Sequence, residues 1–331
     1  MTRTTTTATT TATTTAATLT WGPMRHVRGM QDLQAALPGI LELAMRLKHG
    51  GRPPRLLDGK TVILVFEKNS TRTRVSFEVG VQRLGGFTTI VDAVTSQMAR
   101  GEPLVDTASV LSRYGDAIVY RAKDHASLLQ MAEHSRVPVV NALTDVEHPC
   151  QVLADLMTLA EHFGDLAGRR LAYVGDGNNM CHSYLLAAPM VGMDIAVACP
   201  AGYQPNPAIV QAARALAKAA GTKLTVTTRP EVAVHDADAV ATDTWISMGD
   251  EAEEAARMHA FAGFTVDDAL MAQAAPGAVF LHCLPGHWGH EATFELAHGP
   301  RSLIYDEAEN RMWVQMALLV KLLRPQGSPD A

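Results

Sequence analysis

The 331-residue chain lacks a hydrophobic segment long enough to cross a membrane. Its apolar run at residues 316–320 is closely followed by Lys321 and Arg324, whereas a membrane-spanning helix needs roughly 20 consecutive apolar residues. We therefore expect a protein that is not integral to a membrane.

Cysteine is also scarce, since the chain has four cysteines and none belongs to a CxxC pair. They stand far apart in the sequence, at Cys150, Cys181, Cys199 and Cys283. This spacing predicts neither a disulfide framework nor a zinc site. A reducing cytoplasm fits such cysteine usage best.

An excess of positive charge is missing too. Lys and Arg number 28 against 34 Asp and Glu, which gives a formal net charge of −6. Nucleic acid and acidic membrane surfaces are therefore not expected partners, and any anion must be bound by a local group of residues.

The apolar content is sufficient for a large core, because 47% of the residues are hydrophobic and 19% are charged. This is the composition of a globular protein. The length is about twice that of a typical domain of roughly 150 residues, so two domains are the first expectation.

The first 20 residues cannot contribute to a core, because 13 of them are threonine and Arg3 is the only charged one. They have neither the arginine-rich pattern of a mitochondrial leader nor the apolar segment of a secretory one. We expect residues 1–23 to form a disordered tail, with an unusual targeting peptide as the alternative. Residues 324–331, with two prolines and a glycine, are expected to be a frayed tail.

Apolar β-branched runs alternate with stretches of helical period along the rest of the chain. The expected strands lie at residues 61–66, 87–91, 117–120, 137–141, 170–174, 195–198, 223–227, 239–242 and 278–281. Helices are expected at residues 71–84, 104–114, 127–134, 149–163 and 307–323. Repeated βα units predict an α/β fold with mostly parallel sheets flanked by helices.

A glycine-containing break at residues 164–168 separates two such series. We therefore expect one domain at residues 24–163 and a second at residues 164–305. The last helix, at residues 306–323, is expected to cross back and pack on the first domain.

The first candidate site lies where the first strand turns into its helix, at residues 67–74. Hydroxyls and guanidiniums at a helix N-terminus suit a phosphate dianion. The segment lacks the GxxxxGK[ST] pattern of a P-loop. Its alternative interpretation is a helix cap followed by solvated arginines.

Two further candidates follow later strands, where ligands bind in open α/β sheets. His148 and Gln151 lie one helical turn apart around Pro149, and Cys283 follows His282 at the last strand. The alternatives are a capping histidine and a buried, packing cysteine.

Glycines at 175 and 177 open a helix but lack the third glycine of a dinucleotide fingerprint. The asparagines that follow suit a zwitterionic small molecule better than a pyrophosphate. His287, His290 and Glu291 could suggest a metal cluster, but no fourth ligand lies at a zincin spacing, and no metal is expected.

Four segments, taken in order, resemble the aspartate/ornithine transcarbamoylase family. They are Ser-Thr-Arg-Thr-Arg at 70–74, His-Pro-Cys-Gln at 148–151, Asp-Thr-Trp-Ile-Ser-Met-Gly at 243–249 and His-Cys-Leu-Pro at 282–285. The resemblance runs from about Met24 to Leu323. It implies one domain for carbamoyl phosphate, one for the amino acid, an active site between them, a homotrimer or a multiple of trimers, and no cofactor.

The resemblance also implies residue roles at the carbamoyl phosphate side. The phosphate would be held by Ser70, Thr71, Arg72, Thr73, Arg121 and Arg311, with Gln97 reaching it across a subunit boundary. His148 would donate to the carbamoyl oxygen. Gln151 and the carbonyls of Cys283 and Leu284 would hold the carbamoyl amino group.

On the amino-acid side, the resemblance points to ornithine as the acceptor. The matching residues are Leu143, Asn179, Asp243, Ser247 and Met248, with the loop at residues 247–249 closing over the ligand. The implied reaction is attack of the δ-amine on carbamoyl phosphate, giving citrulline and phosphate through a tetrahedral intermediate that Thr73, Arg121 and His148 would stabilise. Arg121, His148, Cys283 and Asp243 are the residues expected to act in the chemistry.

Some alternatives stay open at the level of sequence. Residues 285–291 differ from the commonest continuation of this motif in the family, which leaves the choice of acceptor open. Related enzymes that act on acetylornithine, putrescine or aspartate alter the Ser-Met-Gly loop, so its presence here argues against these three acceptors. A nicotinamide dehydrogenase or an inactive binding protein would share the α/β layout. The direction of flux, toward arginine synthesis or away from it, is also open.

Overall fold

The computed structural model describes residues 24–246 and 253–324, and contains two parallel sheets, one in each half. The first sheet has the order β2-β1-β3-β4, with β1 Thr61–Phe66, β2 Phe87–Asp92, β3 Ala117–Arg121 and β4 Val139–Leu143. The second has the order β7-β6-β5-β8-β9, with β5 Arg170–Val174, β6 Asp194–Ala198, β7 Leu224–Thr227, β8 Ala239–Thr242 and β9 Val279–His282. The α/β class with two sheets is confirmed.

Helices connect the strands and cover both sheets. In the first half they are α1 Leu37–His49, α2 Thr71–Arg83, α3 Leu104–Leu111, α4 His125–His134 and α5 Pro149–Phe163. The second half has α6 Asn179–Met190, α7 Pro207–Ala220, α8 Pro230–Val234, α9 Glu254–Ala260, α10 Asp268–Met271, α11 Phe294–Ala297 and α12 Ile304–Leu323. Among the helices of the described residues, none has both the length and the apolarity that a membrane crossing needs.

Element boundaries differ from expectation where local chemistry intervenes. β4 begins at Val139, two residues late, because Pro138 has no N–H for the sheet. α4 begins at His125, two residues early, because the Asp124 carboxylate caps it by accepting from Ser127 N at 2.8 Å. α1 was not expected at all.

In each sheet the order in which strands are added reverses at the first strand, because β1 and β5 each have neighbours on both sides. Such switch points are where open α/β sheets bind ligands, beyond the carboxyl ends of the strands. The loops after β1, β3 and β4 lie at this edge of the first sheet, and those after β5, β8 and β9 at the same edge of the second.

The last helix joins the two halves, as expected. α12 packs against α1, α2 and α5 of the first half and also contacts β9. Gly80 allows this approach, because a Cβ there would lie 2.9 Å from Met316 Cγ. Asn310 adds a polar link by donating to Thr158 Oγ1 at 2.8 Å. The boundary between residues 163 and 164 stays a prediction. The predicted tails at 1–23 and 324–331 lie outside the described residues, except for Arg324, which caps the C-terminus of α12.

Candidate active site

The N-terminus of α2 forms one pole of the site. Ser70, the extended residue before the helix, accepts from Arg121 Nη1 at 3.2 Å. Thr73 is buried, and its Oγ1 accepts from Arg311 Nη2 at 2.6 Å. The structure therefore gathers residues from the β1–α2 turn, the end of β3 and α12, as the sequence predicted.

Two buried guanidiniums, those of Arg121 and Arg311, and the exposed guanidinium of Arg72 lie at this pole, and we call the three the arginine cluster. Burial, then the charges of Arg311 and Arg72, lower the pKa of Arg121 to about 10. Burial also lowers the pKa of Arg311, with Arg72 acting in the same direction. Buried like charges destabilise one another unless an anion neutralises them, so this pole favours a bound anion.

The other side chains of the motif are exposed. Thr71 and Arg72 lie at the surface in the first turn of α2, so Arg72 acts on the two buried arginines of the cluster from outside. Arg74 is exposed as well, and its Nε lies 3.5 Å from Glu78 Oε2. The interpretation as a solvated arginine therefore holds for Arg74.

His148 precedes α5 and lies between the two halves of the molecule. Its backbone N–H donates to Ser183 Oγ of α6 at 2.8 Å. Burial, together with the charges of Arg311 and Arg121, holds the pKa of His148 well below 6.5. The imidazole is therefore neutral at physiological pH, and its buried Nδ1 has no hydrogen-bond partner among the described residues.

Gln151 follows one turn later on α5 and is completely buried. Its Nε2 donates to Asp155 Oδ1 at 2.8 Å, which fixes the orientation of the carboxamide. Its Oε1 has no hydrogen-bond partner in the described part of the chain. The hydrogen bond to Asp155 thus leaves Gln151 with an oriented acceptor.

Asp243, at the end of β8, forms the opposite pole. Its carboxylate accepts from Asn178 Nδ2 and Thr244 N, each at 2.8 Å, and from Cys283 Sγ at 3.1 Å. Burial, and then the charge of Asp243, raise the pKa of the Cys283 thiol well above 9. Cys283 is therefore a neutral donor and not a thiolate.

The loop after β9 is held by a buried histidine. His282 Nδ1 accepts from Leu284 N at 2.9 Å, so the proton lies on Nε2, which donates to Glu291 Oε1 at 3.1 Å. Leu284 has a φ of 56°, a conformation that is costly outside glycine and concentrates at functional sites.

Glu291 supports the same loop. Its Oε1 also accepts from His287 N at 2.6 Å. No group of His, Cys, Asp and Glu in residues 24–246 and 253–324 has the arrangement of a metal site. His287 Nδ1 lies 2.8 Å from Thr244 Oγ1, which links the unusual segment at residues 285–291 to the Asp243 pole.

The two halves meet where β4 ends and α6 begins. Asn179 Nδ2 donates to the carbonyl of Thr144 at 2.6 Å, next to Leu143. Asn178, which the sequence grouped with Asn179 as an amide for a small molecule without giving it a role of its own, caps α6 and binds Asp243. Its position before the helix was the available signal for the cap.

One expected site residue, Gln97, is not brought into this cluster, and two others cannot be compared with it. Gln97 is exposed at the start of a short 3-10 helix and forms no hydrogen bond with the other site residues in the described chain. Ser247 and Met248 lie outside the described residues.

Comparisons with known families match each half of the chain to a described domain. Residues 25–161 match the family described as aspartate/ornithine carbamoyltransferase, carbamoyl-P binding domain, and residues 167–322 match its Asp/Orn binding domain. The ornithine carbamoyltransferase of Methanoculleus marisnigri is 51% identical over 295 residues, which is 89% of this chain and 94% of that protein. That of Acidothermus cellulolyticus is 52% identical over 309 residues, 92% of this chain and 98% of that protein.

Solved structures give the same result. Ornithine carbamoyltransferase from Pyrococcus furiosus has a TM-score of 0.87 and 43% identity, covering 90% of this chain and 97% of that one. An acetylornithine transcarbamylase complexed with acetylcitrulline has a TM-score of 0.82 and 31% identity, covering 91% and 100%. This chain therefore belongs to the aspartate/ornithine carbamoyltransferase family and is a carbamoyltransferase.

Proposed function

We propose that the enzyme transfers the carbamoyl group of carbamoyl phosphate to the δ-amine of L-ornithine, giving L-citrulline and phosphate. The observation that carries this proposal is the separation of charge across the cleft. The arginine cluster suits a phosphate dianion, whereas Asp243 at the opposite pole suits a cationic amino acid. The names of the similar proteins support ornithine as that amino acid.

The phosphate would be bound at the N-terminus of α2 by Ser70, Thr71, Arg72 and Thr73. Arg121 and Arg311 already contact two of these hydroxyls. The helix N-terminus supplies free N–H groups and a partial positive charge. Binding of a dianion would relieve the repulsion within the arginine cluster, and this relief would contribute part of the affinity.

The carbamoyl oxygen would be stabilised by Thr73, Arg121 and His148 as negative charge develops on it. A neutral His148 can donate one hydrogen bond to the carbamoyl oxygen. Because its pKa is low, the imidazole stays neutral throughout the reaction. Gln151 Oε1, with the carbonyls of Cys283 and Leu284, would accept from the carbamoyl amino group. Preorganised donors of this kind usually contribute on the order of 100-fold each to the rate.

The amino acid would lie between Asp243 and the end of β4, near Asn179 and Leu143, with Ser247 and Met248 completing the site. The Asp243 carboxylate would bind the α-ammonium group. The δ-amine must be neutral to attack, although a primary amine is ordinarily protonated at pH 7. Since Cys283 is itself a proton donor here, we assign the final proton to the departing phosphate.

We further propose a cytoplasmic homotrimer, or a multiple of trimers, that serves arginine biosynthesis. Exposed apolar side chains in the first half support self-association, among them Val75, Val94, Val110 and Tyr114. Gln97, exposed within its own chain, would then complete the phosphate site of a neighbouring subunit.

The direct test is to supply ¹³C-labelled carbamoyl phosphate with ornithine and to identify the product by NMR. We expect the ¹³C label in the ureido carbon that is bonded to the δ-nitrogen, and one phosphate released for each citrulline formed. A protein with His148 replaced by Ala serves as the control for contaminating activity. Label retained in carbamoyl phosphate, or lost only to hydrolysis, would refute the proposal.

A further inference from the structure

Two buried carboxyl groups behind the site, Asp155 and Glu307, hydrogen bond to each other. Asp155 lies on α5, one turn after Gln151, and Glu307 lies in the first turn of α12. Their exposed fractions are 0% and 1%. Two carboxylates have only acceptors, so a hydrogen bond between them requires that the pair hold a proton.

The contacts of the pair locate that proton. Asp155 Oδ1 accepts from Gln151 Nε2 at 2.8 Å, and Asp155 Oδ2 accepts from Tyr184 Oη at 2.7 Å. Glu307 Oε1 accepts from His282 N at 3.1 Å. Glu307 Oε2 is buried and has no hydrogen-bond partner in the described part of the chain. Of the four oxygens, Oε2 is therefore the one left free to carry the shared proton.

The surroundings favour this state. Burial raises the pKa of Asp155 to about 6, against the lowering effects of Tyr184, Gln151 and Arg311. Burial and the neighbouring Asp155 raise the pKa of Glu307 well above 4.5, against the smaller effects of His282 N and Arg311. The Cys283 thiol also faces the pair and is neutral. Burial and Asp155 thus favour the protonated form of Glu307, whereas the hydrogen bonds from Tyr184 and Gln151 favour the ionised form of Asp155.

We propose that Asp155 and Glu307 are positioning residues whose shared proton aligns the acceptors for the carbamoyl amino group from both halves of the enzyme. Asp155 orients Gln151 so that its oxygen is left for the ligand. Glu307 holds the backbone of His282 immediately before the Cys283 and Leu284 carbonyls. This inference rests on the proposed function for the identity of the ligand.

Substitution of Asp155 by Asn removes the constraint that fixes the orientation of the Gln151 carboxamide. Asn presents an NH₂ group as well as an oxygen, so Gln151 can turn and offer Nε2 to the site in place of Oε1. We expect the KM for carbamoyl phosphate to rise about tenfold or more, with little change in the KM for ornithine, because a buried polar mismatch is costly.

The two substitutions at Glu307 separate the proton from the packing. Glu307→Gln keeps an acceptor for His282 N and replaces the O–H by an N–H donor, so kcat/KM should stay within about threefold of wild type. Glu307→Ala removes both contacts and should lower kcat/KM for carbamoyl phosphate by about 30-fold or more. Glu161→Gln, on α5 but paired with Lys48 and Asn310, is the matched control and should behave as wild type.

Two results would overturn the inference. One is a kcat/KM of Glu307→Gln that is as low as that of Glu307→Ala. The amide group of Gln provides a hydrogen-bond donor in place of the protonated carboxyl group, so it should preserve activity. The other is an unchanged KM for carbamoyl phosphate in both Asp155→Asn and Glu307→Ala.

A measurement without turnover distinguishes this inference from the proposed function. Infrared difference spectra near pH 8, where ordinary carboxyl groups are ionised, should show a protonated carboxyl band in wild type that Glu307→Gln lacks. Identical spectra would refute the shared proton whatever the substrate. A protein with the band but no citrulline formation would refute the proposed function and leave the pair established.

Discussion

Replacing Arg121 by Met tests the electrostatics of the arginine cluster, with opposite effects on stability and on ligand binding. The charged form of Arg121 is buried beside two other guanidiniums, and its pKa is lowered from 12.5 to about 10. A shift of this size costs the folded protein about 3 kcal/mol at neutral pH. Met keeps the length and removes the charge, but gives up the hydrogen bond to Ser70 Oγ, worth about 1 kcal/mol. The ligand-free variant should therefore be about 2 kcal/mol more stable than wild type.

Carbamoyl phosphate should reverse this order. Loss of a charge-assisted contact of about 2.7 kcal/mol weakens binding about 100-fold. At a ligand concentration of about 100 times the wild-type Kd, wild type gains about 2.7 kcal/mol of stability and the variant only about 0.4. The ligand-induced gain in Arg121→Met should thus nearly vanish.

The assay is urea unfolding at neutral pH, with and without carbamoyl phosphate, at unchanged m-value. Arg136→Met is the control, because Arg136 is exposed and remote from the arginine cluster in sequence. A ligand-free Arg121→Met that is less stable than wild type would refute the argument from repulsion. A variant that keeps the full ligand-induced gain would refute the assignment of Arg121 to the phosphate.

Three further predictions concern single side chains. Burial raises the pKa of Glu147 to about 7. The ionised carboxylate therefore destabilises the folded state, and this destabilisation is absent below pH 4.5 and accumulates up to pH 7. In urea titrations the unfolding free energy of Glu147→Gln relative to wild type should rise by about 3 kcal/mol over that interval. His148→Ala should lower kcat by about 100-fold without moving the acid limb of the pH profile, because His148 is neutral throughout; a wild-type kcat would exclude it from the oxyanion site. Cys283→Ser keeps a donor to Asp243 and should hold the KM for ornithine within about threefold, whereas Cys283→Ala should raise it; if Cys283→Ser also keeps the wild-type turnover and pH profile, a proton-handling role for the thiol is excluded.

Much of the fold could be predicted because strands and helices alternate with clear periodicity after residue 60. The helix α1 was not predicted, because Pro38 and Gly39 are residue types that usually interrupt helices. Proline is nevertheless tolerated in the first turn of a helix, where Pro38 lies. Its helical character depends on packing, since Leu37, Ile40 and Ala44 are buried against the rest of the core.

The candidate site was predictable where its residues form contiguous motifs, as at Ser70 and His148. Support from distant residues could not be predicted, because Asp155 and Glu307 meet only when α12 folds back on α5. An acid on a mostly apolar helix reads as a surface residue, and its burial depends on a partner far away in the sequence.

The central claim, transfer to ornithine, is tested most directly by an amine competition. Ornithine, N-acetylornithine, putrescine and aspartate would be mixed at equal concentration with limiting carbamoyl phosphate, and the ureido products quantified by mass spectrometry. Citrulline should exceed every other product by at least about 100-fold, because ornithine is the one amine of the four that combines a free α-ammonium group for Asp243, an α-carboxylate and a second primary amine. Product from N-acetylornithine or putrescine, with none from ornithine, would contradict it.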